Sequence, residues 1–248
     1  MKIDMPLRLA ATIMMAVMLP SPSHADANCG PMEVAAAEIP YFVESPEKGQ
    51  FVELLRAAAE RAEIDLEIKL YPKKRALGLF QISVVDVLMP HSSAGVDVPS
   101  LKSVPILNKR DFVFVRKGTP IPTTVKELEG RRIGLTSQYA YPKSLIGNEN
   151  IEFSRAPNSD LESVKMLSIG RFDGSIIEER SGLKAISEAG VSNIVYDKNH
   201  PINELNVWIL FSNTPCGLFY QEKINAAFQA MIADGEWDTI KKLTAPNG

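Results

Sequence analysis

Hydrophobic and polar positions follow two periods along this chain. Apolar residues alternate with polar ones through Asp65-Leu-Glu-Ile-Lys-Leu70, the period-2 pattern of a half-buried strand. Apolar residues recur at helical spacing over 51–62, among strong helix formers. The first part of the chain reads as strand 32–39, helix 51–62, strand 65–70, helix 73–81 and strand 84–89. That alternation predicts a parallel α/β sheet. A strand at 112–115 then leads into a loop at 117–122, the clearest linker in the chain. Beyond it the order restarts: helix 124–128, strand 132–135, a helix opening near Tyr139, helix 161–169, strand 172–177 and a helix near 182–189. Strands at 193–196 and 207–211 and helices at 221–233 and 237–243 complete the pattern. Residues 76–86 and 163–173 echo each other. In both, apolar helix residues lead through a small residue (Ser83, Gly170) to an Asp (Asp86, Asp173) that enters an apolar strand. The echo fits two similarly built lobes.

The N-terminus departs from this pattern. Lys2 and Arg8 precede an apolar run over 9–19, Pro20-Ser-Pro22 breaks it, and Ser23-His-Ala25 supplies small residues before a cut. This is the three-part pattern of a secretory signal peptide, and the run is too short to span a hydrocarbon core of about 30 Å. Cleavage after Ala25 and a periplasmic location are expected. In that oxidising compartment the only two cysteines, Cys29 and Cys216, are expected to pair; two separate buried thiols are the alternative.

Composition narrows the function. The chain has 248 residues, 45% of them hydrophobic and 23% charged, which argues against disorder, collagen-like repeats and coiled coil. With 27 Lys+Arg against 30 Asp+Glu, the net charge is -3, so no nucleic-acid partner is expected. Two cysteines exclude a four-thiolate zinc site. There is no G-x-S-x-G elbow, Walker loop, dinucleotide fingerprint or H-E-x-x-H motif. After removal of the leader only His91 and His200 remain, so neither catalytic residues, metal nor cofactor is expected.

What remains is binding chemistry beyond the carboxyl ends of strands, where open α/β sheets hold ligands. Met89-Pro-His-Ser-Ser93 offers the hydroxyls of Ser92 and Ser93. Thr136-Ser-Gln-Tyr139 joins a strand to a helix, so Thr136, Gln138 and Tyr139 stand where helix N-terminal amides suit an anion; Ser137 as a simple cap is the alternative. Ile176-Ile-Glu-Glu-Arg180 offers Glu178 or Glu179 to a ligand cation. Within Lys73-Lys-Arg75, Arg75 is the candidate anion-facing group. Tyr41 and Tyr71 each border a proline and are candidate cleft walls, or ordinary packing residues.

Several strings, in this order, resemble family 3 of the bacterial extracellular solute-binding proteins, which serve polar amino-acid ABC transporters. They are Tyr71-Pro-Lys-Lys-Arg-Ala-Leu77, Val115-Arg-Lys-Gly118 followed by Val125-Lys-Glu-Leu-Glu-Gly-Arg-Arg-Ile-Gly134, Met166-Leu-Ser-Ile-Gly-Arg-Phe-Asp173, and the ending that contains Asp234-Gly-Glu-Trp237. The resemblance implies a two-lobed, type II periplasmic-binding-protein-like α/β fold with a mixed sheet in each lobe and a hinge of two crossing strands. Lobe 1 would take 26–117 plus 206–248, and lobe 2 would take 118–205, after a leader over 1–25. It also implies a monomer that closes on a small solute and presents it to a membrane permease. Amino-acid binders of the family carry an S-x-T-x-E-R-like segment whose Arg grips the α-carboxylate. The corresponding stretch, 91–99, has no Arg. Ser93 would keep the hydroxyl role, Arg75 would substitute for the cation, and Glu178 or Glu179 falls near the family's amine-holding Asp. Other relatives of this kind are accessory proteins of quinoprotein alcohol dehydrogenases, cyclohexadienyl-type dehydratases or sensor modules.

Overall fold

A computed structural model describes residues 1, 29–95, 97–137 and 139–243. Apart from Met1, the expected leader lies outside the described residues, as does Gln138. Among the described residues no helix is long and apolar enough to cross a membrane.

The elements run β1 (Met32–Ala36), α1 (Gln50–Arg61), β2 (Leu66–Leu70), α2 (Lys73–Gln81), β3 (Val87–Ser92), β4 (Leu101–Lys102) and β5 (Leu107–Arg116). A 3-10 turn (Val125–Leu128) leads to β6 (Arg132–Leu135), α3 (Lys143–Ile146), β7 (Glu152–Ser154), α4 (Asp160–Ser168), β8 (Gly174–Glu178) and α5 (Glu179–Ala189). The chain continues through β9 (Ile194–Val195), β10 (Asn203–Phe211), α6 (Pro215–Asp234) and α7 (Glu236–Leu243).

The sheet order is β2-β1-β3-β10-β5-β8-β6-β7, with β4 on β10 and β9 on β5. Strands β2, β1 and β3 are parallel, as are β8, β6 and β7. The two groups are joined by β5 and β10, which run antiparallel to each other and to their outer neighbours. Each of these long strands serves both lobes. β10 pairs with β5 over Asn203–Val207 and then with β3 as far as Phe211, while β5 turns from β10 to β8 at Asp111. Two crossing strands thus connect two α/β lobes.

Burial follows the same division. Helices α1, α6 and α7 cover the first group through Phe51, Leu54, Leu55, Tyr220, Phe228 and Trp237, while Ala76 and Phe80 of α2 pack with Ala35 and Leu88. In the second group, Leu128, Ile133 and Leu145 form one cluster, and Phe112, Phe114, Leu167 and Ile177 form another. A disulfide joins Cys29 to Cys216 with Cα atoms 5.6 Å apart, tying the segment before β1 to the first turn of α6. Nearby, the Tyr220 hydroxyl donates to the Gly30 carbonyl at 2.7 Å.

Most predicted elements are present, and α2 has the expected bounds. The helix expected to open near Tyr139 is a correction: the Tyr139 amide donates to the Thr136 carbonyl, and α3 begins only at Lys143. Tyr141 is buried and its hydroxyl accepts from the Thr136 amide, so the chain folds back before Pro142 admits a helix. Strand β3 starts later than expected because Val84 is exposed and the chain turns at Ser83, whose φ is 54°. β5 and β10 are longer than expected because the mostly polar stretches 108–111 and 203–206 continue the ladder where the apolar pattern lapses.

Candidate functional site

A cavity of about 300 Å³ lies between the lobes. Its lobe 1 wall is mostly apolar: Ile39, Phe42, Phe51, Leu77 and Leu88, with Leu107 and Val207 contributed by the crossing strands. Phe42 stacks on Phe51 at 4.6 Å between centroids, which makes one continuous aromatic surface. Lys73 and Lys74 open α2 at the edge of this wall, and His91 and Ser92 end β3 beside it. The His91 ring packs on Gly95, where an added Cβ would come within 2.6 Å of Cε1; a larger residue there would displace the ring.

The opposite wall is polar. Ser137 and Tyr139 come from the turn after β6, and Glu178 and Ser181 come from the junction of β8 and α5. Lys109 reaches the cavity from β5. Its ammonium pairs with fully buried Asp111 at 2.5 Å, and Asp111 also accepts from Asn203 Nδ2 at 3.0 Å. Lys109 also stands 5.9 and 5.7 Å from the ring centroids of Tyr139 and Tyr141. Beneath the floor, buried Asp160 accepts from the Thr136 hydroxyl at 2.7 Å and the Tyr139 hydroxyl at 3.1 Å.

These environments shift the protonation equilibria. Burial pushes Glu178 up to about 7, against the opposing pull of the Ser181 amide, Arg180 and Lys109. The Ser181 amide reaches only Oε2, at 2.9 Å; among the described residues Oε1 accepts no hydrogen bond. Burial also raises Asp160, while its bonds from Thr136 and Tyr139 work the other way. Tyr139 is raised well above the usual phenol range, first by burial and then by Asp160. Loss of solvation around its ammonium lowers Lys73, helped by the positive charges of Lys109 and Arg155. Lys73 remains an exposed residue overall, so water screens much of that effect.

Of the residues singled out from sequence, Ser92, Tyr139 and Glu178 meet at the cavity. Thr136 lies just beneath, its hydroxyl committed to Asp160. Tyr41 packs edge-on behind Phe42 at 4.7 Å, and its hydroxyl accepts from Gln50 Nε2 at 2.8 Å. Arg75 is exposed, with its guanidinium 5.5 Å from the centroid of the Tyr71 ring; neither lines the cavity, where Lys73 and Lys74 stand instead. Ser93 faces a smaller neighbouring cavity of about 130 Å³, beside Lys102 and Trp208. Sequence reasoning missed Lys109, Asp111 and Asp160. The first two form a charged break inside an apolar strand (Lys109-Arg-Asp111), which was the available signal.

Contacts across the cleft complete the geometry. Arg180 of α5 donates to Gln50 Oε1 of α1 at 2.9 Å and sits 5.8 Å from the Tyr41 ring centroid. Lys184 of α5 pairs with Glu44, in the loop between β1 and α1, and this bond is the main cause of the lowered pKa of Glu44.

No protein-family model matches the chain, and no curated protein sequence matches it. Solved structures do match. The GluR0 ligand-binding core from Nostoc punctiforme in complex with (L)-glutamate is 19% identical, with a TM-score of 0.69 over 85% of this chain and 97% of that one. A histidine kinase sensor domain with similarity to periplasmic binding proteins is 17% identical, with a TM-score of 0.70 over 88% and 99%. An ancestral arginine-binding protein bound to arginine is 19% identical, with a TM-score of 0.66 over 86% and 97%. Together with the crossing strands and the cleft, these likenesses establish the fold: two α/β lobes in the periplasmic-binding-protein arrangement.

Proposed function

We propose that this protein is a periplasmic solute-binding protein that captures a small, polar, amino-acid-like solute for an ABC transporter. The observation that carries the reading is the cavity itself, lined from both lobes and of a size suited to a small molecule. Lobe 1, taken as 26–117 plus 206–248, supplies an apolar wall with Lys73 and Lys74 at its edge. Lobe 2, taken as 118–205, supplies Ser137, Tyr139, Glu178 and Ser181. A ligand anion would lie toward the lysines and Ser92, in place of the missing arginine clamp, and a ligand cation would lie toward Glu178. Hinge motion about β5 and β10 would bury such a solute without covalent chemistry. The neighbours named above, bound to glutamate and to arginine, support an amino-acid-like solute. In this reading the chain is a monomer that hands its solute to a membrane permease.

A thermal-shift screen over amino acids, organic acids and amines tests the reading, because a solute bound to the folded state alone raises Tm. At least one class should raise it, and substitution of Glu178 or Lys73 should weaken the response. Silence across the panel, together with a stable complex with another periplasmic protein, would favour an accessory role. One observation favours a second reading. Glu178 is buried and titrates near neutrality, as the general acid of a dehydratase must. Turnover of prephenate-type acids that is lost in Glu178→Gln would establish that activity.

A further inference from the structure

Around the polar wall of the cavity, buried carboxyls outnumber buried cationic groups among the described residues. Asp111, Asp160 and Glu178 are each no more than 5% exposed, and the ammonium among them is that of Lys109. Carboxylates grouped in a poorly solvated space do not all ionise together, and the one with the fewest donors takes the proton. Asp111 has Lys109 and Asn203, and Asp160 has Thr136 and Tyr139. Glu178 has one backbone amide, on Oε2. It lies directly across the ladder from Asp111, so it is the carboxyl that protonates.

The remaining neighbours do not reverse this. On its own helix, Arg180 is committed to Gln50, and Glu179 is engaged by Arg110 and the Tyr196 hydroxyl. Tyr139 and Tyr196, which face Glu178 from the turn after β6 and the loop after β9, both have phenols raised above the ordinary value, so neither carries charge near neutrality. Lys73, Lys74 and His91 belong to the opposite wall, on α2 and β3. Oε1, which accepts no hydrogen bond from the described residues, belongs to a residue that lines the cavity.

We propose that the cleft exchanges a proton for a cation: Glu178 is protonated when the cleft is empty and releases that proton when a solute brings a positive charge to Oε1. In the exchange the Glu178 O–H bond breaks, the proton passes to solvent or buffer, and the carboxylate formed pairs with the ligand's ammonium or guanidinium. This rests on the solute-binding reading and adds to it selection by charge and dependence on pH. The near-neutral titration of Glu178 agrees with it. Solutes without a cation leave the proton in place and bind without this pH dependence.

Two measurements on the unmutated protein test the exchange. In the first, the side-chain carboxyls of 13C-labelled empty protein are followed by NMR against pH, with Glu178 identified by the signal missing in Glu178→Gln. A midpoint near neutrality is expected, and one in the ordinary carboxylate range overturns the proposal. In the second, L-arginine, L-lysine, L-ornithine and putrescine, with succinate as a solute lacking a cation, are screened by thermal shift. Those that bind are titrated calorimetrically at pH 7 in phosphate and in Tris, whose ionisation enthalpies differ. A cationic probe should release about half a proton at pH 7, and its affinity should fall about tenfold from pH 8 to pH 6. Binding with no proton release overturns the exchange while leaving solute binding intact. If no probe raises Tm, the solute reading fails for this panel and the exchange falls with it.

Discussion

Two cross-lobe contacts, Arg180 to Gln50 and Lys184 to Glu44, are predicted to hold the lobes together over the cleft. The perturbation is Arg180→Ala, alone and combined with Lys184→Ala. Arg180 donates a charge-assisted bond to fully buried Gln50, which in turn donates to the Tyr41 hydroxyl. A bond of that kind contributes about 2 kcal/mol. Lys184 and Glu44 keep 28% and 24% of their side chains exposed, so that pair is worth about 1 kcal/mol or less. Both contacts bear on the Tyr41–Glu44 turn, where the Tyr41 amide donates to Glu44 and Tyr41 holds a φ of 75°, so their effects will not simply add. Loss of the Arg180 bond alone should shift the balance toward separated lobes by about 30-fold. Spin labels at Glu47→Cys and Glu188→Cys, both exposed and flanking the latch, report the separation by pulsed dipolar spectroscopy without added solute. The parent should give one short, narrow distance distribution. The variants should give a broader and longer one, with high salt acting mainly on the Lys184 component. Unchanged distances in the double variant, with only Tm lowered, would show that the contacts stabilise the chain without holding the cleft.

Other consequences are open to direct measurement. The Cys29–Cys216 bridge spans a sequence separation of 187. The chain-entropy model puts closure of such a loop at about 5 kcal/mol, so Cys29→Ser/Cys216→Ser should unfold at clearly lower denaturant, and an unchanged midpoint would contradict that account. Glu178 binds its proton more tightly folded, near 7, than at the ordinary 4.5. Its stabilising contribution is therefore complete below pH 4.5 and lost as pH rises through 7, a change of about 3 kcal/mol. Unfolding of Glu178→Gln measured from pH 5 to 8 should lack that decline, and a parallel decline in both proteins would assign it elsewhere. A Cβ at Gly182 would lie 2.5 Å from Cζ of Phe114, which is fully buried. Gly182→Ala should thus lower stability by about 1–3 kcal/mol through overpacking, and a neutral result would mean that α5 can shift away from β5.

The parts of the fold that could be read from sequence are those where one physical preference dominates. β8 is buried along its length, and its apolar pair Ile176-Ile177 marks it as a strand in the sequence. α2 begins after Pro72, which fixes its start, and its bounds were predicted as found. The crossing strands were read only in their apolar halves, because Asn108–Asp111 and Asn203–Asn206 face one another in a ladder that alternation does not reveal. Glu178 and Ser92 were visible because each ends a strand, where open α/β sheets gather ligands. The basic corner was legible as a group but not in its orientation. Successive helical residues turn by about 100°, and that rotation brings Lys73 and Lys74 to the cavity while Arg75 covers Tyr71.

The chemistry of the cleft and the geometry of the hinge meet at one residue. Asp111 is where β5 changes partner, opposite Asn203 on β10 and opposite Glu178 on β8. Its carboxylate accepts from Lys109 and from Asn203, so the lysine that lines the cavity is anchored to both crossing strands. Rotation of the lobes about β5 and β10 would act first on this point, changing the distance from Lys109 to Glu178 and hence the balance that decides which carboxyl holds a proton. No element carries this arrangement alone: Lys109 and Asp111 share a strand, Asn203 arrives from a second and Glu178 from a third. Register, rather than any local motif, brings a candidate ligand-sensing carboxyl into contact with the hinge.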